Sequence, residues 1–312
     1  MSGTSPDQLP DLLPDLPPLP SLRLAVVGHV EWVSFVVVER LPVAGQIQHA
    51  LEMLEQPAGG GAVVAAQFTR LTNQPVAFFT ALGRDALGER AASELRAMGL
   101  QLHVAWREAP TRRAITFVEA SGERTITVIG ERLAPAASDP LPWAELAACD
   151  GVFVTAADAA ALRLARRARV LAATPRVRLP LLQEAAVELD ALIGSARDPG
   201  ERYRAGDLCP APRLYVATEA EQGGFTVPGG RFSAIERSHP PVDAYGAGDS
   251  FAAGLTAGLA AGWERSSALA LACRCGAAAL DGRGAYASQW RAPLIGSPPD
   301  RGSRSAPAAP RG

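Results

Sequence analysis

Residues 243–254, DAYGAGDSFAAG, combine a glycine-rich turn with an acid at the start of a predicted helix. Gly246, Ala247 and Gly248 carry little or no side chain, so successive backbone N–H groups can point at one place in front of the helix. The helix dipole adds positive potential there. Such a turn can bind an anion, including the negative charge that develops while a phosphoryl group is transferred.

Asp249 follows this turn directly. A carboxylate at the mouth of a helix stays ionised, and it can accept the proton of an attacking substrate hydroxyl. The structural alternative is that Asp249 is only the N-cap of the helix. The tetrapeptide GAGD alone does not choose between a catalytic base and a helix cap.

Strands and helices that alternate along the chain predict the scaffold of this loop. Apolar strands are expected at residues 22–28, 76–80, 151–155, 170–173, 191–193 and 213–217, with a hairpin over 224–228 and 232–235. Helices are expected at 59–71, 87–98, 157–168, 181–189, 250–261 and 265–280. This alternation indicates a doubly wound α/β sheet. Half-polar strands within about 31–56 and 101–130 do not fit it and predict a small sheet that acts as a lid.

Composition limits the classes of partner. The chain has 312 residues, 48% of them hydrophobic, and a formal net charge of −2. Its basic residues are all arginine, so a P-loop that depends on lysine is excluded. The charge balance favours neither nucleic acid nor a membrane as partner, and we expect a cytoplasmic protein. The folded domain is predicted over 21–292, with disordered tails at 1–20 and 293–312.

Segment 243–254 resembles the C-terminal signature D-T-x-G-A-G-D-x-F of the PfkB, or ribokinase-like, sugar and nucleoside kinases. Four further segments resemble motifs of that family, in the family's order: GGG at 59–61, LGRDALG at 82–88, GERT at 122–125 and VATEAEQGG at 216–224. The resemblance covers nearly the whole predicted domain.

This resemblance implies a three-layer α/β/α core with a β-sheet lid. It also implies ATP as phosphoryl donor, Mg2+ as cofactor, and a small sugar, polyol or nucleoside as acceptor. Asp249 would be the base, and the three residues before it would form the anion hole. The other implied positions are Gly60 and Gly61 beside the acceptor, Ser195, Thr218 and Gly223 beside the nucleotide, and Asp198, reaching the metal through water.

Several positions depart from the family pattern. Glu31 stands where the first strand usually ends in Asp; it either accepts an acceptor hydroxyl or is a solvated lid residue. Val63 or Val64 replaces the usual Asn, and Ala220 replaces a usual Gly. The changes at Val63 or Val64 and at Ala220, together with Ser195 in place of a usual Asn, motivate a rival hypothesis, a binding or regulatory protein that has lost the reaction. A dehydrogenase is disfavoured, because no G-x-G-x-x-G follows the first strand.

Arginines of the lid have two interpretations. Arg112, Arg113 and Arg124 either contact an anionic substrate or are solvated, and Arg176 is a further candidate near the expected phosphate.

Two further expectations concern ions and assembly. The resemblance implies a monovalent cation near Asp243 and Ser288. An exposed edge of the lid sheet can pair in a homodimer.

Overall fold

The computed structural model describes residues 16–292 and contains thirteen strands within them. In chain order they are β1 (Leu24–Val27), β2 (Glu31–Val37), β3 (Glu52–Ala58), β4 (Val76–Gly83), β5 (Leu100–Arg107), β6 (Arg113–Val118), β7 (Arg124–Ile129), β8 (Gly151–Val154), β9 (Val170–Ala173), β10 (Ala191–Ser195), β11 (Tyr215–Thr218), β12 (Gly224–Val227) and β13 (Gly230–Phe232). Six α-helices of this region are α1 (Gly60–Thr72), α2 (Ala86–Ala97), α3 (Ala159–Ala165), α4 (Leu179–Ala185), α5 (Ala247–Ala260) and α6 (Arg265–Ala279).

Nine of the strands form a large sheet in the order β13-β12-β11-β10-β9-β8-β1-β4-β5. Its strands run parallel from β5 to β11, and β12 and β13 continue the sheet as an antiparallel hairpin. The central strand β1, with sequence LAVV, is buried along its whole length. An apolar strand without polar alternation is typical of a parallel sheet that is covered on both faces.

Helices cover both faces of this sheet and give three layers. On one face, Val26 and Phe78 share a buried cluster with Leu255 of α5. On the other face, Val27 shares a cluster with Leu162 of α3. Neighbouring residues of β1 thus point to opposite layers, as the two-residue period of a strand requires.

Helices α5 and α6 pack at backbone distance. A Cβ atom added to Gly254 would lie 2.8 Å from the Cα atom of Ala272. The run of Ala and Gly in α5 is therefore a packing requirement, and it holds the start of α5 firmly against the core.

A separate four-stranded sheet has the order β3-β2-β6-β7. One face contacts the core through Val33, Phe35 and Ala114, which cluster with Val63 of α1. All six residues of the edge strand β7 are exposed. The connections into this sheet start beside β1 and α1, so it lies near the acceptor side predicted from the sequence.

Segment 101–107 was expected in the small sheet, and this expectation is wrong. It forms β5, which pairs in parallel with β4 from Val76↔Leu100 to Gly83↔Arg107 at the edge of the large sheet. An edge strand has one open side and partly exposed faces, so its sequence alternates like that of a half-exposed lid strand. Within the expected lid segment 31–56, the second strand, β3, begins only at Glu52 and continues past this segment to Ala58.

Most of the two predicted disordered tails, residues 1–15 and 293–312, lies outside the described residues. Within residues 16–20, Leu16 and Leu19 are half-buried and pack on the large core cluster, so these five residues do not behave as a free tail. No helix within residues 16–292 is long and apolar enough to cross a membrane.

Candidate active site

The start of α5 forms the predicted anion-binding turn. Gly246 is the N-cap, with a left-handed φ of 76°, and its carbonyl accepts the N–H of Ser250 at 2.8 Å. The N–H groups of Ala247, Gly248 and Asp249 lie in the first turn of the helix, where no acceptor exists within the helix itself. A Cβ atom on Gly248 would meet nothing within 4 Å, and no side chain caps this helix start, so the turn is open on the side of Gly248.

Asp249 lies directly beside Gly60, where α1 starts. A Cβ atom on Gly60 would stand 2.8 Å from Oδ1 of Asp249 and 3.5 Å from Cγ2 of Thr155. The beginnings of α1 and α5 thus converge at the carboxyl end of β8. Glycine at position 60 leaves room next to the carboxylate for an incoming group.

The pKa of Asp249 is raised from its ordinary value of 3.8 to about 6. Burial is the main cause, because a carboxylate loses hydration when it is enclosed. The nearby Glu201 adds to this rise, while Arg176 opposes it. The carboxyl group is therefore ionised near neutral pH and has a higher proton affinity than an ordinary aspartate, which suits a general base.

Glu31 lies at the start of β2 with only 8% of its surface exposed, so it is not a solvated lid residue. Its Oε1 lies 3.0 Å from Nε of Arg112 and 3.8 Å from Nε2 of His29. Burial raises the pKa of Glu31, and Arg112 opposes this shift. A Cβ atom on Gly59 would meet the backbone N of Glu31 at 3.2 Å, so the acid stands next to the turn that precedes α1.

Gly61 has a different environment from Gly60. A Cβ atom on Gly61 would lie 2.6 Å from the carbonyl oxygen of His29. Backbone, and not an open space, surrounds this position. Gly61 therefore allows α1 to pack closely on the connection from β1 to β2, whereas Gly60 faces the region beside Asp249; the contact of Gly61 with the acceptor stays a prediction.

The residues expected near the nucleotide come together at the carboxyl ends of β10 and β11. Ser195 and Thr218 are paired in register across these two strands. Gly223 has a φ of 81° and closes the following turn, in which its carbonyl accepts the N–H of Glu219 at 2.7 Å. The three positions lie on one edge of the sheet, and their contact with a nucleotide stays a prediction.

Asp198 is held by protein groups. Its Oδ1 accepts the N–H of Gly200 at 2.8 Å, and its Oδ2 accepts a hydrogen bond from Nη2 of Arg176. No group of three or more His, Cys, Asp or Glu side chains within residues 16–292 is arranged to hold a metal ion. Each oxygen of Asp198 thus has one protein donor, and its contact with a metal through water stays a prediction.

Glu201 is a buried acid that the sequence did not single out. Only 8% of its surface is exposed. Its Oε2 accepts a hydrogen bond from the N–H of Ser195 at 2.7 Å, and its Oε1 accepts one from Nε of Arg176. Nothing in the segment RDPGER distinguishes it from Asp198. Arg176, a weak candidate in the sequence, is thus the common partner of both acids.

Four arginines line a cavity of about 410 Å3 together with Glu131: Arg112, Arg132, Arg176 and Arg178. Arg112 and Arg176 are among the arginines that the sequence analysis gives as candidates for contact with an anionic substrate or the phosphate. Arg113 and Arg124, which it had also named, are exposed on the small sheet and do not line this cavity.

The loop before α5 is anchored by Asp243, which is 1% exposed. Its two carboxylate oxygens accept the N–H groups of Tyr245 at 2.8 Å and Gly284 at 3.0 Å. The hydroxyl of Ser288 donates to the carbonyl of Ala279 at 3.2 Å. The monovalent cation expected near Asp243 and Ser288 stays a prediction.

The fold is ribokinase-like, as comparison with solved structures shows. Ribokinase from Thermotoga maritima aligns with a TM-score of 0.67 and 19% identity, covering 86% of this chain and 96% of that one. The Arabidopsis thaliana ribokinase complexed with ribose and ATP gives the same four values. Adenosine kinase from Sinorhizobium meliloti aligns with a TM-score of 0.69 and 18% identity, covering 86% and 96% of the two chains.

The family model described as "pfkB family carbohydrate kinase" matches residues 21–197 and 205–292, so the chain belongs to this family. A search of curated proteins returned no match to the sequence.

Proposed function

We propose that this protein transfers the γ-phosphate of ATP to a hydroxyl of a small sugar, polyol or nucleoside. One observation carries the proposal: the open amides at the start of α5, the carboxylate of Asp249 and the side-chain-free surface of Gly60 converge at one place. Family membership and the solved ribokinases complexed with ATP or ADP support ATP as the donor.

In the proposed reaction, the acceptor hydroxyl lies between Gly60 and Asp249. Asp249 accepts its proton as the oxygen attacks the γ-phosphorus, and the bond between that phosphorus and the leaving oxygen of ADP breaks. The N–H groups of Ala247 and Gly248 stabilise the charge that spreads over the transferred phosphoryl oxygens. Most of the rate enhancement comes from this positioning and electrostatic stabilisation.

On the donor side, we propose that Ser195, Thr218 and Gly223 border the nucleotide. Mg2+ stays a prediction. In enzymes that use nucleotides, this ion is held mainly by the substrate phosphates, whose charge it neutralises. Asp198 stays the residue predicted to reach the ion through water.

The test is Asp249→Asn, assayed for phosphate transfer from ATP to a panel of sugars, polyols and nucleosides. Loss of the base should lower kcat by about 100- to 10,000-fold while ATP binding stays close to that of the wild type. Asp207→Asn is the matched control, because Asp207 is an exposed turn residue that accepts the N–H of Arg204. Near-normal turnover in Asp249→Asn would remove this residue from the mechanism.

A second candidate function is a ligand-binding or regulatory protein that does not catalyse the reaction. The observation in its favour is that Asp198 and Glu201 are both engaged by Arg176. Clear binding of a panel compound without any phosphate transfer would favour this candidate.

Cytoplasmic location and a homodimer formed through the small sheet stay predictions. Met53 on β3 and Ile126 and Val128 on β7 are exposed apolar side chains of that sheet. Size-exclusion chromatography with light scattering would test the dimer.

A further inference from the structure

Two adjoining cavities, of about 410 and 420 Å3, have arginine-rich walls. They share Arg132, Arg176 and Arg178, while Arg112 lines only the first and Arg202 only the second. Arg112 directly precedes β6, and Arg132 follows β7. The other three arginines lie in the segments that follow β9 and β10. The fold therefore gathers positive charge from four separate stretches of chain.

Internal acids offset part of this charge, and one of them, Glu131, lines the first cavity itself. Arg112 faces Glu31, and Arg176 is paired with Asp198 and Glu201. Within residues 16–292, neither Arg132 nor Arg178 forms an ion pair with a carboxylate.

Two of the guanidinium groups on the cavity walls have a buried nitrogen atom without a hydrogen-bond acceptor in the described region, namely Nε of Arg112 and Nε of Arg132. The Arg112 Nε lies 3.0 Å from Glu31, but its N–H is not aimed at that oxygen. Arg132 donates from Nη1 to the carbonyl of Arg176 at 2.7 Å, which leaves Nε free. Unsatisfied buried donors are costly, and an anion that enters the cavity would satisfy them.

Arg178 supports the same interpretation through its backbone. Its φ is 83°, a conformation that a residue with a side chain rarely adopts. Side chains held in such conformations occur often at ligand sites, where the surrounding structure compensates for the strain. Here the strained residue places an arginine on the wall of both cavities.

The first cavity adjoins the acceptor side of the site. Arg112 contacts Glu31, and Glu31 lies against the turn at Gly59 that leads to Gly60. The second cavity lies against the segment after β10 instead. An anion held in the first cavity would therefore belong to the molecule that presents its hydroxyl to Asp249.

We propose that the acceptor is itself phosphorylated, and that Arg112, Arg132 and Arg178 bind its phosphomonoester. This inference rests on the proposed function, whose acceptor it narrows from small hydroxyl compounds to sugar or polyol phosphates. Guanidinium groups suit this role because their planar donors match phosphate oxygens in pairs. The phosphate already on the acceptor is not transferred; it positions the free hydroxyl.

The first experiment measures binding without nucleotide, by isothermal titration calorimetry, for three matched pairs of probes. The pairs are ribose and ribose 5-phosphate, fructose and fructose 6-phosphate, and glycerol and glycerol 3-phosphate. In at least one pair the phosphorylated member should bind about 10- to 100-fold more tightly than its neutral partner. Equal or weaker binding of the phosphorylated member in all three pairs would overturn the proposal.

The second experiment compares Arg178→Gln and Arg132→Gln with Arg167→Gln. Arg167 is an exposed arginine near the end of α3, away from the cavities, and serves as the matched control. Each cavity variant should weaken binding of the preferred phosphorylated probe about 10-fold or more and leave ATP binding unchanged. Arg178 is exposed, so its replacement should leave the core intact. Arg132→Lys keeps the positive charge, so its comparison with Arg132→Gln separates an effect of charge from an effect on folding. If both Gln variants weakened ATP binding and left the phosphorylated probe unaffected, the arginines would serve the nucleotide and the proposal would fail.

These measurements separate this inference from the proposed function. Tight binding of a phosphorylated probe without phosphate transfer would support the arginine site and count against catalysis. Transfer to neutral sugars, with no preference for phosphorylated ones, would support catalysis and overturn the arginine site.

Discussion

The two regions that we propose to bind anions are built in opposite ways. At the start of α5, the binding groups are backbone amides, presented by a turn of small residues that is continuous in sequence. In the arginine cavities, the groups are guanidinium side chains that the fold collects from distant segments, among them Arg112, Arg132 and Arg178.

This difference has a chemical consequence. Backbone amides carry only partial charge, and substitution of a side chain does not remove them. They therefore suit the stabilisation of the negative charge that develops in every phosphoryl transfer. Arginine side chains carry full charge and can be exchanged without changing the fold, so they suit recognition of one particular acceptor. We expect substitutions near α5 to affect the reaction itself, and substitutions in the cavities to affect which acceptor is used.

Among substitutions that keep the carboxylate of Asp249, Gly60→Ala should have the largest effect. The added methyl group would stand 2.8 Å from Oδ1 of Asp249 and would force the carboxylate or the acceptor to move. Because small displacements of reacting groups are costly, kcat/KM for the acceptor should fall by about 100-fold.

Gly248→Ala is the control for folding, since its methyl group meets nothing within 4 Å. The melting temperatures of both variants should stay near or above that of the wild type. Unchanged kinetics in Gly60→Ala would show that the space beside Asp249 is not used by the acceptor.

Asp249→Asn should increase stability while it removes activity. The folded pKa of Asp249 is about 6, above the ordinary 3.8, so the folded protein binds this proton more tightly than the unfolded chain does. The resulting stabilisation is fully present below pH 3.8 and is lost as pH rises through about 6.

At pH 8 the asparagine variant should therefore have a free energy of unfolding about 3 kcal/mol higher than that of the wild type, measured by urea denaturation. The gain should vanish when the same titration is done near pH 4, provided that both proteins remain folded. A variant less stable than the wild type at pH 8 would show that the native carboxylate makes compensating contacts.

The smallest expected effect is a pair of opposite shifts in the pH profile. Wild-type kcat/KM should rise with pH with a midpoint near 6, because Asp249 must be ionised to accept a proton. Arg176→Gln removes a charge that lowers the pKa of Asp249, so the midpoint should move to higher pH. Glu201→Gln removes a charge that raises it, so the midpoint should move to lower pH.

Steady-state rates from about pH 5 to about pH 8 would measure both midpoints. Shifts of the two variants in the same direction would mean that the observed ionisation belongs to another group.

Much of the architecture was predictable from the sequence because its signals are local. Buried parallel strands such as β1 are apolar throughout, and α5 follows a glycine turn, so alternation and motif were sufficient there. Segment 101–107 was placed wrongly, since the edge of a core sheet and a lid strand have the same half-exposed pattern. Tail residues 16–20 were misjudged because Leu16 and Leu19 find their partners only in the folded core.

The sequence by itself determined the family, the layered fold and the loop that contains Asp249, because each depends on residues that are neighbours in the chain. Tertiary structure alone decided that Glu31 is buried against Arg112, that Glu201 shares Arg176 with Asp198, and that Arg132 and Arg178 face one cavity. The physical reason is that the electrostatic interaction between two side chains depends on their distance in space, and these side chains meet only after the sheets have formed.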